Sequence, residues 1–240
     1  MIVFAHRGAS AYAPQNTVPS FKMALAMKAQ GIELDVQLSS DGVPVIIHDF
    51  MLDKTTDLSG FVHTHSWQEL RKADAGLWFG EEYRETRIPS LEEVLALIPK
   101  DVLLNVEIKS ITSLNQPVAR IVSQVLNQEK DRNLIVSSFN HPILKDFQLL
   151  SPEVKIGILT ANDFINFPAY VESSGIRPYS IHPEASYLSY QSIEDYHKRG
   201  WKVMTYTINS TTQSRMVESL GADGIFSDYP DLNSDIQDSD

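Results

Sequence analysis

Residues 31–36 read Gly-Ile-Glu-Leu-Asp-Val, and residues 104–109 read Leu-Asn-Val-Glu-Ile-Lys. Side chains two apart on a strand share a face, so each stretch carries its aliphatic residues on one side and its polar residues on the other. A strand of that kind fits a sheet whose apolar side lies under helices. Around these two, Gly31–Val36 and Val102–Ile108, stand six more short apolar runs: Ile2–His6, Leu134–Ser138, Lys155–Leu159, Tyr179–His182, Lys202–Ile208 and Gly224–Ser227. Helical patterns separate them. Val118, Ile121, Val122, Val125 and Leu126 recur at the spacing of one helix face, and Ser90-Leu-Glu-Glu93 has the form of a capping box. Eight strands alternating with helices imply parallel crossovers, and over 240 residues they predict an α/β fold, a (β/α)8 TIM barrel in one domain spanning residues 1–240. The rhythm breaks once, at about residues 50–89, which read as a small insertion after strand two on the active-site side. The polar, acidic tail 233–240 reads as frayed.

The charge balance, 20 basic against 31 acidic residues for a net −11, argues against a nucleic-acid partner, which needs lysine and arginine for phosphates. It equally disfavours stable association with an anionic membrane. Without cysteine, thiolate metal sites and disulfides are excluded. The N-terminus Met1-Ile-Val-Phe-Ala-His6 lacks the n-region and h-region of a secretory signal, and no apolar run reaches spanning length. The expectation is a cytoplasmic protein.

In such a barrel the chemistry sits at the C-terminal ends of the strands. Glu33 and Asp35 share one polar face, and Asn105, Glu107 and Lys109 share another. Strand one ends in His6-Arg7-Gly8. Asp41-Gly42 suits a two-residue hairpin turn, and that register sets His48 directly opposite Asp35. His6, Arg7, Glu33, Asp35, His48, Glu107 and Lys109 then converge. Three carboxylates in a partly buried site repel one another, and a hard divalent cation on oxygen ligands, Mg²⁺ or Ca²⁺, relieves the repulsion. A cation flanked by Arg7 and Lys109 suits a phosphate-bearing small molecule. Two histidines beside it suit acid and base roles. The pattern points to metal-assisted phosphoryl transfer or hydrolysis.

The ordered stretches His6-Arg-Gly-Ala-Ser, Pro14-Gln-Asn-Thr17, Glu33-Leu-Asp-Val36, His48-Asp49, Glu107-Ile-Lys109, Ser137-Ser-Phe139, Thr205-Tyr-Thr-Ile-Asn209 and Gly221-Ala-Asp-Gly-Ile-Phe-Ser-Asp228 resemble the glycerophosphodiester phosphodiesterase family, from residue 2 to about residue 230. The resemblance implies metal-dependent hydrolysis of glycerophosphodiesters to sn-glycerol 3-phosphate and an alcohol. By the same resemblance Glu33, Asp35 and Glu107 bind the metal, and His6 and His48 form the acid/base pair. Arg7 and Lys109 hold the phosphate, while Phe139 and Trp201 flank the glycerol or head group. In the family's usual account the glycerol 2-hydroxyl attacks phosphorus, and water then opens a cyclic phosphate.

Two positions depart from the family pattern: Gln15 where glutamate is usual, and Tyr206 where tryptophan is frequent. Two other readings compete, a lysophospholipase D or phospholipase-type diesterase on the same barrel and a non-catalytic phosphodiester-binding barrel. Of the remaining histidines, His63, His65, His141 and His182 read as structural or surface residues.

Overall fold

The computed structural model describes residues 1–114, 116–129 and 131–232; the tail 233–240 lies outside the described residues. In chain order the elements are β1 (Ile2–Ala5), α1 (Val18–Ala26), β2 (Gly31–Leu38), β3 (Pro44–Ile46), α2 (Trp67–Leu70), α3 (Leu91–Leu97), β4 (Leu103–Ile108), α4 (Val118–Leu126), β5 (Leu134–Ser138), α5 (His141–Leu150), β6 (Lys155–Thr160), α6 (Phe167–Ser174), β7 (Ser180–Pro183), α7 (Tyr190–His197), β8 (Lys202–Thr205), α8 (Thr211–Leu220) and β9 (Gly224–Ser227). β1 pairs in parallel with both β2 and β9, which closes an eight-stranded parallel barrel; β3 adds an antiparallel strand on β2. Among the described residues no helix is long and apolar enough to cross a membrane.

The two-faced strands sort as their alternation requires. Ile32, Leu34 and Val36 of β2 and Leu104, Val106 and Ile108 of β4 join one buried cluster with Phe21 of α1, Val122 of α4 and Phe147 of α5. That layer lies between barrel and helices. The barrel interior is closed by Phe4, Ile135, Met204 and Phe226, with the Phe4 and Phe226 rings stacked at 4.9 Å. Local signals start the helices. Ser90 Oγ accepts from the Glu93 amide at 3.2 Å, and the Glu93 carboxylate accepts from the Ser90 amide at 2.8 Å, which satisfies two donors that α3 would otherwise leave bare.

Residues 50–89 carry little regular structure. Leu52, Val62, Leu70, Ala73, Ala75 and Ile88 bury themselves with Val45 and Ile47 of the β3 hairpin, so the excursion has apolar packing of its own. It sits where β2 and its hairpin leave the barrel.

Candidate active site

β1 ends at Ala5, and the chain turns sharply. Arg7 (φ 58°) and Gly8 (φ 81°) both adopt left-handed backbone, which costs a residue with a Cβ roughly 1–2 kcal/mol. The turn is held because the Arg7 carbonyl accepts from the Asn16 amide at 2.9 Å and from Ser20 Oγ at 3.0 Å. Its consequence is that the Arg7 amide donates to Glu33 Oε2 at 2.8 Å. A Cβ on Gly8 would lie 2.5 Å from Ser20 Oγ and 2.7 Å from the Ser20 carbonyl carbon. Gly8→Ala is therefore expected to cost about 3 kcal/mol, or roughly 6–12 °C in melting temperature, from backbone conformation and overpacking together. Thermal unfolding checks this, and an unchanged melting temperature would show that the turn relaxes freely.

Next to this turn, the parallel register of β2 and β4 sets Glu33 beside Asn105 and Asp35 beside Glu107. One carboxylate oxygen each from Glu33, Asp35 and Glu107 lies within 4.8 Å of the other two. Glu33 and Asp35 are only 3% and 1% exposed. Burial, then the charges of Asp35 and Glu107, push the Glu33 carboxyl well above its ordinary range. Burial and Asp35 raise Glu107 to about 7. For Asp35 burial acts in the same direction, but Arg7, Lys109 and His48 outweigh it and hold the group low. Arg7 Nε lies 3.4 Å from Asp35 Oδ2, and Lys109 Nζ lies 3.1 Å from Glu107 Oε1 and 3.7 Å from Asp35 Oδ1.

Glu33 Oε1 and Asp35 Oδ1 are buried with no hydrogen-bond partner. A buried carboxylate oxygen left without a donor is costly. Two of them converging with a third carboxylate form an oxygen donor set that fits a hard divalent cation. The residues present fit a metal.

The hairpin delivers His48 by a route other than the one its turn sequence predicts. The observed pairs are Val36 with Ile46, Gln37 with Val45 and Leu38 with Pro44, one residue out of the expected register, so Asp35 does not face His48 across the ladder. The expectation placed Gly42 second in a two-residue turn. Instead Gly42 (φ 83°) is the third residue of a three-residue loop, in which Ser39 N donates to Val43 O. Asp41 keeps a negative φ, which a type I′ turn does not allow. A one-residue slip turns every later side chain to the opposite face. The pairing, however, stops at Ile47, whose amide donates to Asp35 O at 3.0 Å. Gln37 Nε2 then donates to the carbonyls of Ile47, His48 and Asp49 at 3.0, 3.0 and 2.9 Å, bending the chain back so that His48 lies in the field of Asp35, Arg7 and Lys109. Burial lowers the His48 pKa; Asp35 opposes this, Arg7 and Lys109 reinforce it, and the result is about 4.

His6 follows β1 as Asp228 follows the adjoining β9, since Ala5 pairs with Ser227. His6 Nδ1 lies 2.7 Å from Asp228 Oδ1. That oxygen also accepts from Ser10 Oγ at 2.9 Å, and Oδ2 accepts from Asn209 Nδ2 at 2.6 Å. Burial would raise Asp228, yet the bonds and charge of His6 with those of Asn209 and Ser10 bring it down to about 2. Its stabilising contribution is present above the ordinary aspartate range and is lost only as pH falls through about 2.

Asp228, Gln37 and Asn16 are the residues that motif reading left without a role. Asn16 Nδ2 donates to Asp35 Oδ2 at 2.8 Å, and its Oδ1 accepts from the Asp35 amide at 3.2 Å. Asp228 and Gln37 could have been sought by position, one directly after the last barrel strand and the other on the Glu33–Asp35 face. Gln15 Oε1 accepts from Arg7 Nη1, so the uncharged side chain still orients the guanidinium.

The structure brings His6, Arg7, Glu33, Asp35, His48, Glu107 and Lys109 together at the C-terminal rim. Phe139 lies there too, edge-on to Tyr206 at 5.8 Å. Trp201 does not, which corrects its expected place beside the substrate. It precedes the first residue of β8 and packs on Tyr196 of α7 at 6.3 Å under the Arg199 guanidinium, at the opposite end of the barrel, roughly 13 Å of strand away. His141 is held between the Tyr170 hydroxyl and the Leu159 carbonyl. His182 is fully buried on Phe226, and burial lowers it to about 3.

Comparison with known proteins gives one consistent result. The sequence profile described as the glycerophosphoryl diester phosphodiesterase family matches residues 6–232. A glycerophosphodiester phosphodiesterase of Caldanaerobacter subterraneus subsp. tengcongensis is 38% identical over 96% of this chain and 95% of its own. One from Bacillus altitudinis is 35% identical over 95% of each. Among solved structures, a phosphodiesterase of Oleispira antarctica in complex with the product sn-glycerol-3-phosphate superimposes with a TM-score of 0.91 at 34% identity, covering 100% of this chain and 97% of that one.

Proposed function

Because the chain belongs to the glycerophosphoryl diester phosphodiesterase family, we propose that it hydrolyses glycerophosphodiesters to sn-glycerol 3-phosphate and the head-group alcohol, with Glu33, Asp35 and Glu107 holding one Mg²⁺ or Ca²⁺. The observation that carries this reading is the convergence of three carboxylates, two of whose buried oxygens accept no hydrogen bond, on a rim that also presents Arg7, Lys109 and two histidines. The Oleispira antarctica enzyme, similar over the whole chain, holds sn-glycerol-3-phosphate, which supports the same product here.

When bound, the divalent cation would supply Lewis-acid polarisation of a phosphoryl oxygen and offset charge. The chain's own residues do the rest. Arg7 and Lys109 orient and neutralise the phosphodiester. His48, kept neutral near pH 7 by its burial, takes the proton of the attacking glycerol 2-hydroxyl. His6, with Nδ1 engaged by Asp228, gives a proton from Nε2 to the departing alcohol oxygen as the phosphorus–oxygen bond breaks. Water then opens the cyclic phosphate with the two roles exchanged.

Purified protein is expected to release glycerol 3-phosphate from a glycerophosphodiester with Mg²⁺ or Ca²⁺, to stop in excess chelator, and to resume on re-addition of metal. A lysophospholipid run in parallel is expected to turn over at least about tenfold more slowly. Release of a phosphorylated head group with free glycerol would overturn the reaction, and full activity in chelator would overturn the metal.

A further inference from the structure

On the far side of Glu107 from Arg7, the rim changes chemistry. β4 and β5 pair Glu107 with Ser137. Phe139, two residues on, shares the face of Ser137 and lies one pleat nearer the mouth. It is 46% exposed, and its ring meets Tyr206 edge to face. The Tyr206 hydroxyl donates to the Thr160 carbonyl at 2.9 Å, which fixes its ring as a wall. Tyr206 stands beside Glu184, with which it forms a parallel bridge past the ends of β7 and β8. Burial, then the charges of Glu107 and of Glu184, raise the Tyr206 hydroxyl, so the side chain lies in the field of both the carboxylate cluster and a second, separate carboxylate.

Beyond this wall opens a cavity of about 470 Å³ lined by Thr160, Asp163, Phe164, Pro183, Tyr187 and Asp195, among others. Thr160 is 5% exposed, yet its Oγ1 has no hydrogen-bond partner. The Glu184 carboxylate accepts from Ser186, and among the described residues no lysine or arginine forms an ion pair with it. Arg199, the cation on the cavity's outer wall, is taken up by Glu172 at 2.7 Å. The phosphate side of the site offers Arg7 and Lys109 beside its carboxylates, and this side is aromatic and anionic. Aromatic faces with a nearby carboxylate are the chemistry that recognises an ammonium group.

We propose that Phe139, Tyr206, Tyr187 and Glu184 form the subsite for the leaving alcohol and select an ammonium-bearing amino alcohol, of the choline or ethanolamine kind, over a neutral polyol. This inference rests on the glycerophosphodiesterase reading above. The diester's phosphate lies against Arg7 and Lys109, its glycerol stays on the histidine side, and the cationic head group extends over Glu107 onto the aromatic wall. A quaternary ammonium relies on the rings. A primary ammonium also has donors for Glu184 and for the unpartnered Thr160 hydroxyl.

The test compares kcat/KM of the full-length protein with Mg²⁺ on glycerophosphocholine, glycerophosphoethanolamine and glycerophosphoglycerol, which share one phosphodiester charge. Both ammonium diesters are expected to exceed the glycerol diester by about tenfold, a factor within the range of cation–π contacts. Glu184→Gln and, separately, Phe139→Leu are expected to lower kcat/KM on the ammonium diesters about five- to tenfold more than on glycerophosphoglycerol. A lead for choline over ethanolamine assigns the selection mainly to the rings, and the reverse assigns it to Glu184 and Thr160. Equal kcat/KM on all three diesters, or an equal loss on all three in both variants, overturns the proposal. If no diester is cleaved, the glycerophosphodiesterase reading fails separately, and NMR titration with free choline, ethanolamine and glycerol decides. Ammonium binding that Glu184→Gln weakens upholds the subsite, and its absence in the parent protein overturns it.

Discussion

Glu107→Gln is expected to lower kcat/KM on glycerophosphodiesters by about 10³-fold or more, because losing one of the three carboxylates proposed to hold the metal forfeits Lewis-acid stabilisation worth several kcal/mol. The same variant should make the metal-free protein more stable at pH 8. Burial and Asp35 raise Glu107 to about 7, above the ordinary glutamate range near 4.3. The sign is therefore that of a group the fold prefers protonated. Its contribution is full below the unfolded value and is lost as pH rises through about 7. Glu33, raised well above its usual range by burial, Asp35 and Glu107, acts in the same direction. In chelator the wild-type melting temperature should accordingly fall between about pH 5 and pH 8, and Glu107→Gln should flatten that fall. Saturating Mg²⁺ or Ca²⁺ should restore the wild type. A hundredfold excess over Kd contributes about 2.7 kcal/mol, or roughly 5–10 °C for a chain of this size, and the variant should gain little. Scanning calorimetry against pH, with and without metal, reads all of this. A wild type indifferent to both cations would remove the metal from the site.

The barrel was legible because its strands are short apolar runs between helical periods, and the polar faces of Gly31–Val36 and Val102–Ile108 are written in strict alternation. Convergence of the charged residues followed from barrel geometry alone, since a strand's C-terminal end is known once its direction is known. What failed was finer. Asp41-Gly42 does not reveal whether the glycine is the second or third loop residue, and the choice shifts the whole register. His48 still arrives because Gln37 binds three successive carbonyls, a side-chain interaction with no periodic signature. Trp201 was misplaced because an aromatic near a barrel strand can stand at either end, and one residue before β8 is the wrong end. The His6–Asp228 pair joins residues 222 apart; only the pairing of the first strand with the last makes them neighbours.

That pairing carries the second large expectation. His6→Ala should lower kcat by about 10²–10⁴-fold through loss of proton transfer, with the metal-induced rise in melting temperature retained because His6 is not among the three carboxylates of the cluster. Asp228→Asn should be nearly as damaging, for a reason specific to its contacts. Asp228 Oδ1 accepts from His6 Nδ1 and Ser10 Oγ, while Oδ2 accepts from Asn209 Nδ2. Asn209 cannot simply turn its amide over, because its Oδ1 accepts from the Asp228 backbone amide at 2.9 Å. An asparagine at 228 that keeps its oxygen toward His6 sets its NH₂ group against that of Asn209, donor against donor. Turned the other way, it donates to His6 Nδ1 and forces the ring proton onto Nε2, the wrong tautomer for a base at that atom. Both arrangements spoil one bond, so kcat should fall by about 10²-fold or more while KM stays within a few-fold, as expected for an interaction used chiefly in the transition state. Asp228 is ionised down to about pH 2, so acidification to pH 5 should not mimic the variant in the wild type. Steady-state kinetics of both variants between pH 5 and pH 9 decide the matter. An Asp228→Asn enzyme with unaltered kcat would leave the contact a fastening of the barrel seam and nothing more.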